Sequence, residues 1–345
     1  MLSIDMSHQT VSINLLKKIQ EFCPNVECFL IVETIFEQGS FTQFVQLFAH
    51  NLKDITISDT LKTIGSDLRC LWQNTTILGE VKVILKDYNR EESPSFAQKF
   101  DVFPKSVFSL YIENDTHEDC APGCGCKDGN DIPEQGLNQK TILIQILDNV
   151  SKHAKQLKCL RIESDECPKQ LVESLNIISE FKELLSLNLT FGSKYNDYYG
   201  KSFLRNVNCF LQLKELSKIE YLTLHFCKSA VSDVLIESRR FVFKTKIITL
   251  RLIDMLLIKK DMNNLVNNFK NIKNLQLIDC YFNDCQSIKL ISKSKKLRKL
   301  VYQYNQDNHL FNEHHLEVFQ DLPQKIHLDL NEIRSVWAQS SFIEE

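Results

Sequence analysis

Glycine and proline are scarce, with 9 and 7 residues in a chain of 345. A fold built on many tight turns is thereby excluded, and long regular elements are expected instead. Long apolar runs are missing as well. The stretch "TILIQIL" at 141–147 falls far short of the roughly 20 residues that span a bilayer. Near the start, Asp5, Ser7, His8 and Gln9 interrupt the region where a secretory signal needs an unbroken apolar stretch. A cytoplasmic or nuclear protein with no membrane partner is therefore expected. No sign of charge dominates, since 41 basic residues face 44 acidic ones for a net charge of −3. Without a basic field, nucleic acid is not an expected partner. Catalytic signatures are absent too: there is no G-x-S-x-G, no P-loop and no G-x-G-x-x-G, and "GCG" at 123–125 lacks the further glycine. The expectation is a protein that is not an enzyme.

What is present is a chain that is 43% apolar, with 12 cysteines. In a reducing compartment free cysteine packs as a small apolar side chain, so the count is compatible with cytosol. The stretch "IKNLQLIDC" (272–280) has apolar residues at its first, fourth and sixth places and a cysteine at its ninth. The same pattern returns at 157–165, 184–192, 219–227, 247–255 and 297–305, and in a degenerate copy at 325–333. The central residues Leu160, Leu187, Leu222, Leu250, Leu275, Leu300 and Leu328 are 27, 35, 28, 25, 25 and 28 residues apart. Weaker copies at 26–34, 52–60, 81–89 and 107–115 centre on Phe29, Ile55, Ile84 and Leu110. The copy at 81–89 fits least well because Lys86 falls at an apolar place.

Eight of these eleven units carry Asn, Asp, Thr or Cys at the ninth place, Thr34 and Cys280 among them. Such side chains hydrogen-bond the backbone where a chain leaves a strand. Segments between the strands have helical spacing. Phe41, Phe44, Val45 and Phe48 share one face of 40–51, and Met262, Leu265, Val266 and Phe269 share one face of 261–271. A longer helix is expected within 137–156, and a capping helix within 12–25.

Strand, turn, helix and return in 25 to 29 residues resembles the leucine-rich repeat family, in particular its ribonuclease-inhibitor-like class. The resemblance implies an α/β solenoid of about eleven repeats, a horseshoe with a concave parallel β-sheet and convex helices. Residues 1–25 would be an N-terminal cap, 26–335 the array with an insertion at about 113–136, and 336–345, with Trp337 and Phe342, a tail or far cap. It further implies a non-enzymatic scaffold binding another protein on the concave sheet. Alternatives from the same resemblance are a substrate-recognition subunit of a ubiquitin ligase, similar to F-box leucine-rich repeat proteins but with no visible F-box, and a GTPase regulator similar to Ran GTPase-activating proteins.

Residues beside each central apolar position point away from the core. They place Tyr111, Arg161, Asn188, Tyr221, Thr223, Arg251, Asn274, Gln276 and Lys299 on the concave face, with His225 flanking them. Aromatic, arginine and amide side chains suit a protein-binding surface. The insertion offers separate chemistry. His117, Cys120, Cys124 and Cys126 form a four-ligand set of the type that holds zinc, although H-x2-C-x3-C-x-C departs from the usual paired spacing. A mobile acidic loop with incidental thiols is the competing reading. His309, His314 and His315 do not match H-E-x-x-H and are expected to be solvated. The same holds for the basic stretch at 293–300.

Overall fold

Alternation decides the strands. In "SLYIEN", residues Ser109–Asn114, the second, fourth and sixth side chains are buried and the other three stay partly exposed. A period of two lays one face against the core and leaves the other open. The computed structural model describes residues 1–60, 62–63, 68–86, 93–114, 141–164, 168–191, 216–226, 246–257, 259–282, 285–304, 317–319, 322–323 and 325–332. They fall in two compact units, Met1–Leu184 and Leu185–Glu345.

The first unit begins with β1 (Ser3–Asp5), β2 (Thr10–Val11), α1 (Ile13–Phe22), β3 (Cys28–Ile31), β4 (Ile35–Phe36) and α2 (Ser40–Phe48). It continues with β5 (Asp54–Ser58), β6 (Lys62–Thr63), α3 (Leu68–Asn74), β7 (Glu80–Leu85) and α4 (Ser93–Gln98). It ends with β8 (Ser109–Asn114), α5 (Ile142–His153), β9 (Cys159–Ser164) and α6 (Pro168–Ile178). Strands β1, β3, β5, β7, β8 and β9 pair in that order, all parallel. The two-residue strands β2, β4 and β6 form a second small ladder. Ser12 caps α1 by accepting the Leu15 N–H, and Thr141 caps α5 by accepting from Ile144. Helix α2 buries Phe41, Phe44, Val45 and Phe48, the face its spacing predicts. Phe29 of β3 meets Phe44 edge-on with ring centres 5.0 Å apart.

The second unit holds β10 (Ser186–Phe191), β11 (Tyr221–Phe226), β12 (Thr249–Ile253), β13 (Leu256–Leu257) and α7 (Lys259–Asn268). There follow β14 (Asn274–Ile278), β15 (Tyr281–Phe282), α8 (Cys285–Lys289), a 3-10 turn at Leu290–Lys293, β16 (Lys299–Tyr304) and β17 (His327–Glu332). Strands β10, β11, β12, β14, β16 and β17 pair in parallel, and β13 pairs with β15. Met262, Leu265 and Phe269 are buried, as their spacing predicts.

One backbone device recurs at the start of the strands. In the first unit the Leu2 carbonyl accepts the N–H groups of both Glu27 and Cys28, and the Glu27 carbonyl accepts those of Lys53 and Asp54. Lys53, Gly79 and Phe108 repeat the step, each receiving two successive N–H groups from the following strand. In the second unit Leu185, Glu220, Ile248 and Lys273 do the same. The carbonyl two residues before each central residue therefore clamps the next strand in register.

That register corrects two expectations. Val81, not Ile84, pairs with Ile55 on one side and Leu110 on the other. The repeat is centred three residues earlier than its apolar run suggests, and an odd shift exchanges the two faces of a strand. Val83 and Leu85 are buried, while Lys82 shares the row of Thr56 and Tyr111. Lys86 then lies beyond β7, at the ninth place, where its charge is no anomaly: its Nζ sits 3.2 Å from Glu33 Oε1. The first 25 residues also hold more than a capping helix, because β1 pairs Ile4 with Phe29 as a further strand of the sheet. Asn89, the ninth place expected before that shift, lies outside the described residues, as do Asp115, Asp165, Gly192, Cys227, Asn305 and Ile333 at other ninth places and Trp337 and Phe342 of the tail.

At two of the described ninth places, Thr34 and Cys280, the turn-bonding chemistry is visible. The Thr34 hydroxyl donates to the carbonyls of Met6 at 3.0 Å and Val32 at 3.3 Å. The Cys280 thiol meets the equivalent pair, Leu252 at 3.3 Å and Ile278 at 3.5 Å. Each side chain ties its own strand end to the preceding strand. The residue before it turns left-handed, with φ of 52° at Glu33 and 49° at Asp279. Its N–H is still satisfied, as when Asp279 donates to the Gln303 carbonyl at 2.7 Å. Burial pushes the Cys280 thiol far above its usual range, with the Met255 backbone opposing and Asp254 and Asp279 adding to the shift.

Cys280→Ala should lose both hydrogen bonds and cost about 1–2 kcal/mol in urea unfolding. Cys280→Thr, which restores the Thr34 arrangement, should recover most of that loss. In the native protein Cys280 should resist thiol reagents and become reactive on unfolding.

Candidate functional site

Tyr111 stands at the centre of the best-defined polar cluster on the open face of the first unit. Strand register places Lys82 beside it on β7 and Arg161 beside it on β9. The Lys82 ammonium and the Arg161 guanidinium each lie 4.5 Å from the centre of its ring. Two cations on one tyrosine ring repel each other unless carboxylates neutralise them. Glu113 and Glu163, paired two residues further along the same strands, do so. Glu113 Oε2 is 2.8 Å from Lys82 Nζ, and the Arg161 guanidinium pairs with Glu163 Oε1. The Tyr111 hydroxyl donates to Glu163 Oε2 at 2.8 Å, with Glu113 Oε2 at 3.3 Å. Burial, followed by the two glutamates, raises its pKa well above the ordinary phenol value. The hydroxyl is a donor held between the two glutamates.

Of the residues expected to meet a partner, Tyr111 and Arg161 thus belong to one interlocked cluster in the first unit. In the second unit Asn188, Thr223, Arg251 and Gln276 share one row across β10, β11, β12 and β14. Tyr221, Asn274 and Lys299 share the preceding row with Thr249. His225 lies in the following row, opposite Ile253. Tyr221, at 52% exposure, and Lys299 are the exposed members. The Asn274 side chain donates to Thr249 Oγ1 at 3.2 Å. Asn188 Oδ1 is buried and has no hydrogen-bond partner among the described residues.

Lys82 and Glu80 are open-face residues that the sequence pattern did not yield, because the repeat at 81–89 was centred late. The signal was there: Glu80 and Lys82 alternate with the buried Val81 and Val83. Ile253, Ile278 and Val301 fall in the open-face rows as well, although Ile278 and Val301 are buried. His117, Cys120, Cys124 and Cys126, and likewise His309, His314 and His315, lie outside the described residues. Among the described residues no three His, Cys, Asp or Glu side chains are grouped to hold a metal ion, and no helix is long and apolar enough to cross a membrane.

Parallel strands in constant register, joined through helices at a 25- to 29-residue step over most of the chain, decide the architecture. It is a leucine-rich repeat array. No family model and no curated protein matches the chain. Among solved structures it is similar to an internalin from Listeria monocytogenes, at 13% identity and a TM-score of 0.42, over 96% of this chain and 82% of that one. It is also similar to a protein from Bacteroides fragilis, at 15% identity and a TM-score of 0.39, over 68% and 69% of the two chains. The leucine-rich repeat-containing protein LegL7 from Legionella pneumophila is a further neighbour, at 14% identity and a TM-score of 0.36, over 80% and 90%. Likenesses of this degree add nothing to what the register shows directly.

Tyr111→Phe removes the shared hydroxyl and should lower stability by about 1 kcal/mol, whereas Tyr111→Ala also removes both cation–ring contacts and should cost about 2–3 kcal/mol. Calorimetry on the two variants separates the contributions; equal losses would mean that the ring contributes nothing.

Proposed function

We propose that this protein is a non-enzymatic interaction scaffold that holds a partner protein on the open face of its parallel strands. The observation that carries the reading is the Lys82–Tyr111–Arg161 stack. It displays an aromatic and an arginine, the residue types enriched at binding hot spots. Their positions are fixed beforehand by Glu113 and Glu163. A side chain already held in place loses little conformational freedom on association, which favours binding. Thr56 and Ser109 adjoin the stack on the same face. In the second unit, exposed Tyr221 and the row Asn188, Thr223, Arg251 and Gln276 offer aromatic, amide and guanidinium groups to the same end.

Bulky neutral substitutions on the open face test the reading. Thr56→Trp and Ser109→Trp should each reduce recovery of the partner in quantitative cross-linking by at least about tenfold. Gln46→Trp on α2 and Gln156→Trp after α5, both exposed on the helix side, should leave recovery unchanged. Equal recovery by all four variants would sink the open-face reading. Arg251→Glu combined with Lys299→Glu asks the same question of the second unit.

A further inference from the structure

The charges on the open face of the first unit are unevenly matched. Lys82 is committed to Glu113, and Arg161 to Glu163. Asp54 and Glu80 stand opposite each other on β5 and β7, in the row next to the Tyr111 stack. Neighbouring strands are about 4.8 Å apart, so two carboxylates lie side by side. Like charges placed directly across a strand pair are destabilising. Their row offers no relief: Cys28 flanks Asp54 on β3, Ser109 flanks Glu80 on β8, and Cys159 follows on β9. Glu27 adds negative charge beside Asp54, and the nearby Lys53 Nζ is held by Glu27 at 2.6 Å. Burial first, then Glu27, holds Asp54 above the usual carboxylate range, with Lys53 opposing in part; burial first, then Asp54, does the same for Glu80.

Two carboxylates are too few for calcium, which takes six to eight oxygen ligands, and no third acidic, histidine or cysteine ligand joins them among the described residues. A guanidinium fits better. Its planar fork of N–H donors bridges two carboxylates a strand spacing apart, and its charge matches the local surplus. We propose that the row Cys28–Asp54–Glu80–Ser109 of the first unit's open face docks an arginine-bearing basic segment of a partner protein, one guanidinium lying between Asp54 and Glu80. This rests on the scaffold reading above and names the chemistry of the partner. The adjacent Lys82–Tyr111–Arg161 stack, already neutralised by its own glutamates, neither attracts nor repels that segment and serves as a rigid wall to the row.

The test is fluorescence anisotropy of the full chain with a labelled peptide alternating Arg and Ser, against its Glu–Ser counterpart. The Arg–Ser peptide should bind and the Glu–Ser peptide should not. Added salt should weaken binding, and so should lowering the pH through the raised carboxylate range, which removes the attracting charge. Asp54→Asn combined with Glu80→Gln should weaken binding at least about tenfold, while Glu21→Gln on α1 leaves it unchanged. A thermal melt of the double variant should show a folded protein at least as stable as the wild type, because a like-charge pair has been removed. Correspondingly, wild-type stability conferred by the protonated pair is present below the unfolded carboxylate values and lost as pH rises through the folded ones. Absence of Arg–Ser binding up to about 1 mM, or equal binding by the double variant, overturns the proposal. If Thr56→Trp still displaces the natural partner in that case, the scaffold reading stands and only the basic chemistry falls.

Discussion

Within each unit the fold depends on a single carbonyl that receives two successive N–H groups from the strand that follows. The motif runs from Leu2 through Glu27, Lys53 and Gly79 to Phe108, and from Leu185 through Glu220 and Ile248 to Lys273. Because the carbonyl belongs to the backbone, the clamp works with different side chains at its own position, Leu2, Glu27, Lys53 and Phe108 among them. It fixes where each strand starts, hence which residues fall in each row, hence which charges become neighbours. Alternation then buries one set of side chains and opens the other. Among the clamp positions Gly79 is the exception, because a β-carbon there would come within 2.6 Å of the Phe108 ring on the next strand connection.

The strand ends carry a second constraint. A left-handed residue at the eighth place and a donor at the ninth turn the chain off the sheet without leaving polar groups unsatisfied. Non-glycine residues pay a small strain to sit at φ near 50°, as Glu33, Asp254 and Asp279 do. Hydrogen bonds from their own N–H groups offset it. Thr34 and Cys280 solve the ninth place with different atoms and the same two acceptors, so hydroxyl and thiol are interchangeable there in the geometric sense.

Much of this was legible in the sequence, because side-chain period and repeat length are statements about apolar residues alone. Leu110, Leu160, Leu250 and Leu275 were identifiable as core from spacing, and Phe41, Phe44 and Phe48 as one helix face. The repeat at Val81 was harder to place, since Ile84 and Leu85 end "VKVIL" with apolar residues on both faces and leave the phase to Glu80 and Lys82 alone. The clamp and the strand register distinguish Val81 from Ile84. The site was legible in half: Tyr111 and Arg161 follow from alternation, but their union with Lys82, Glu113 and Glu163 depends on register between residues 29 to 52 positions apart. No local pattern encodes that.

The Tyr111 cluster presents a surface whose hydrogen bonds and charges are already answered from within. Such a surface offers a partner a fixed aromatic ring and guanidinium but no unpaired charge. A wrong partner must break an existing ion pair to insert a charge of its own, so selectivity arises from refusal as much as from attraction. On the proposed reading, the neighbouring carboxylates of Asp54 and Glu80, of which Lys53 opposes only the first, are where an incoming chain would be judged.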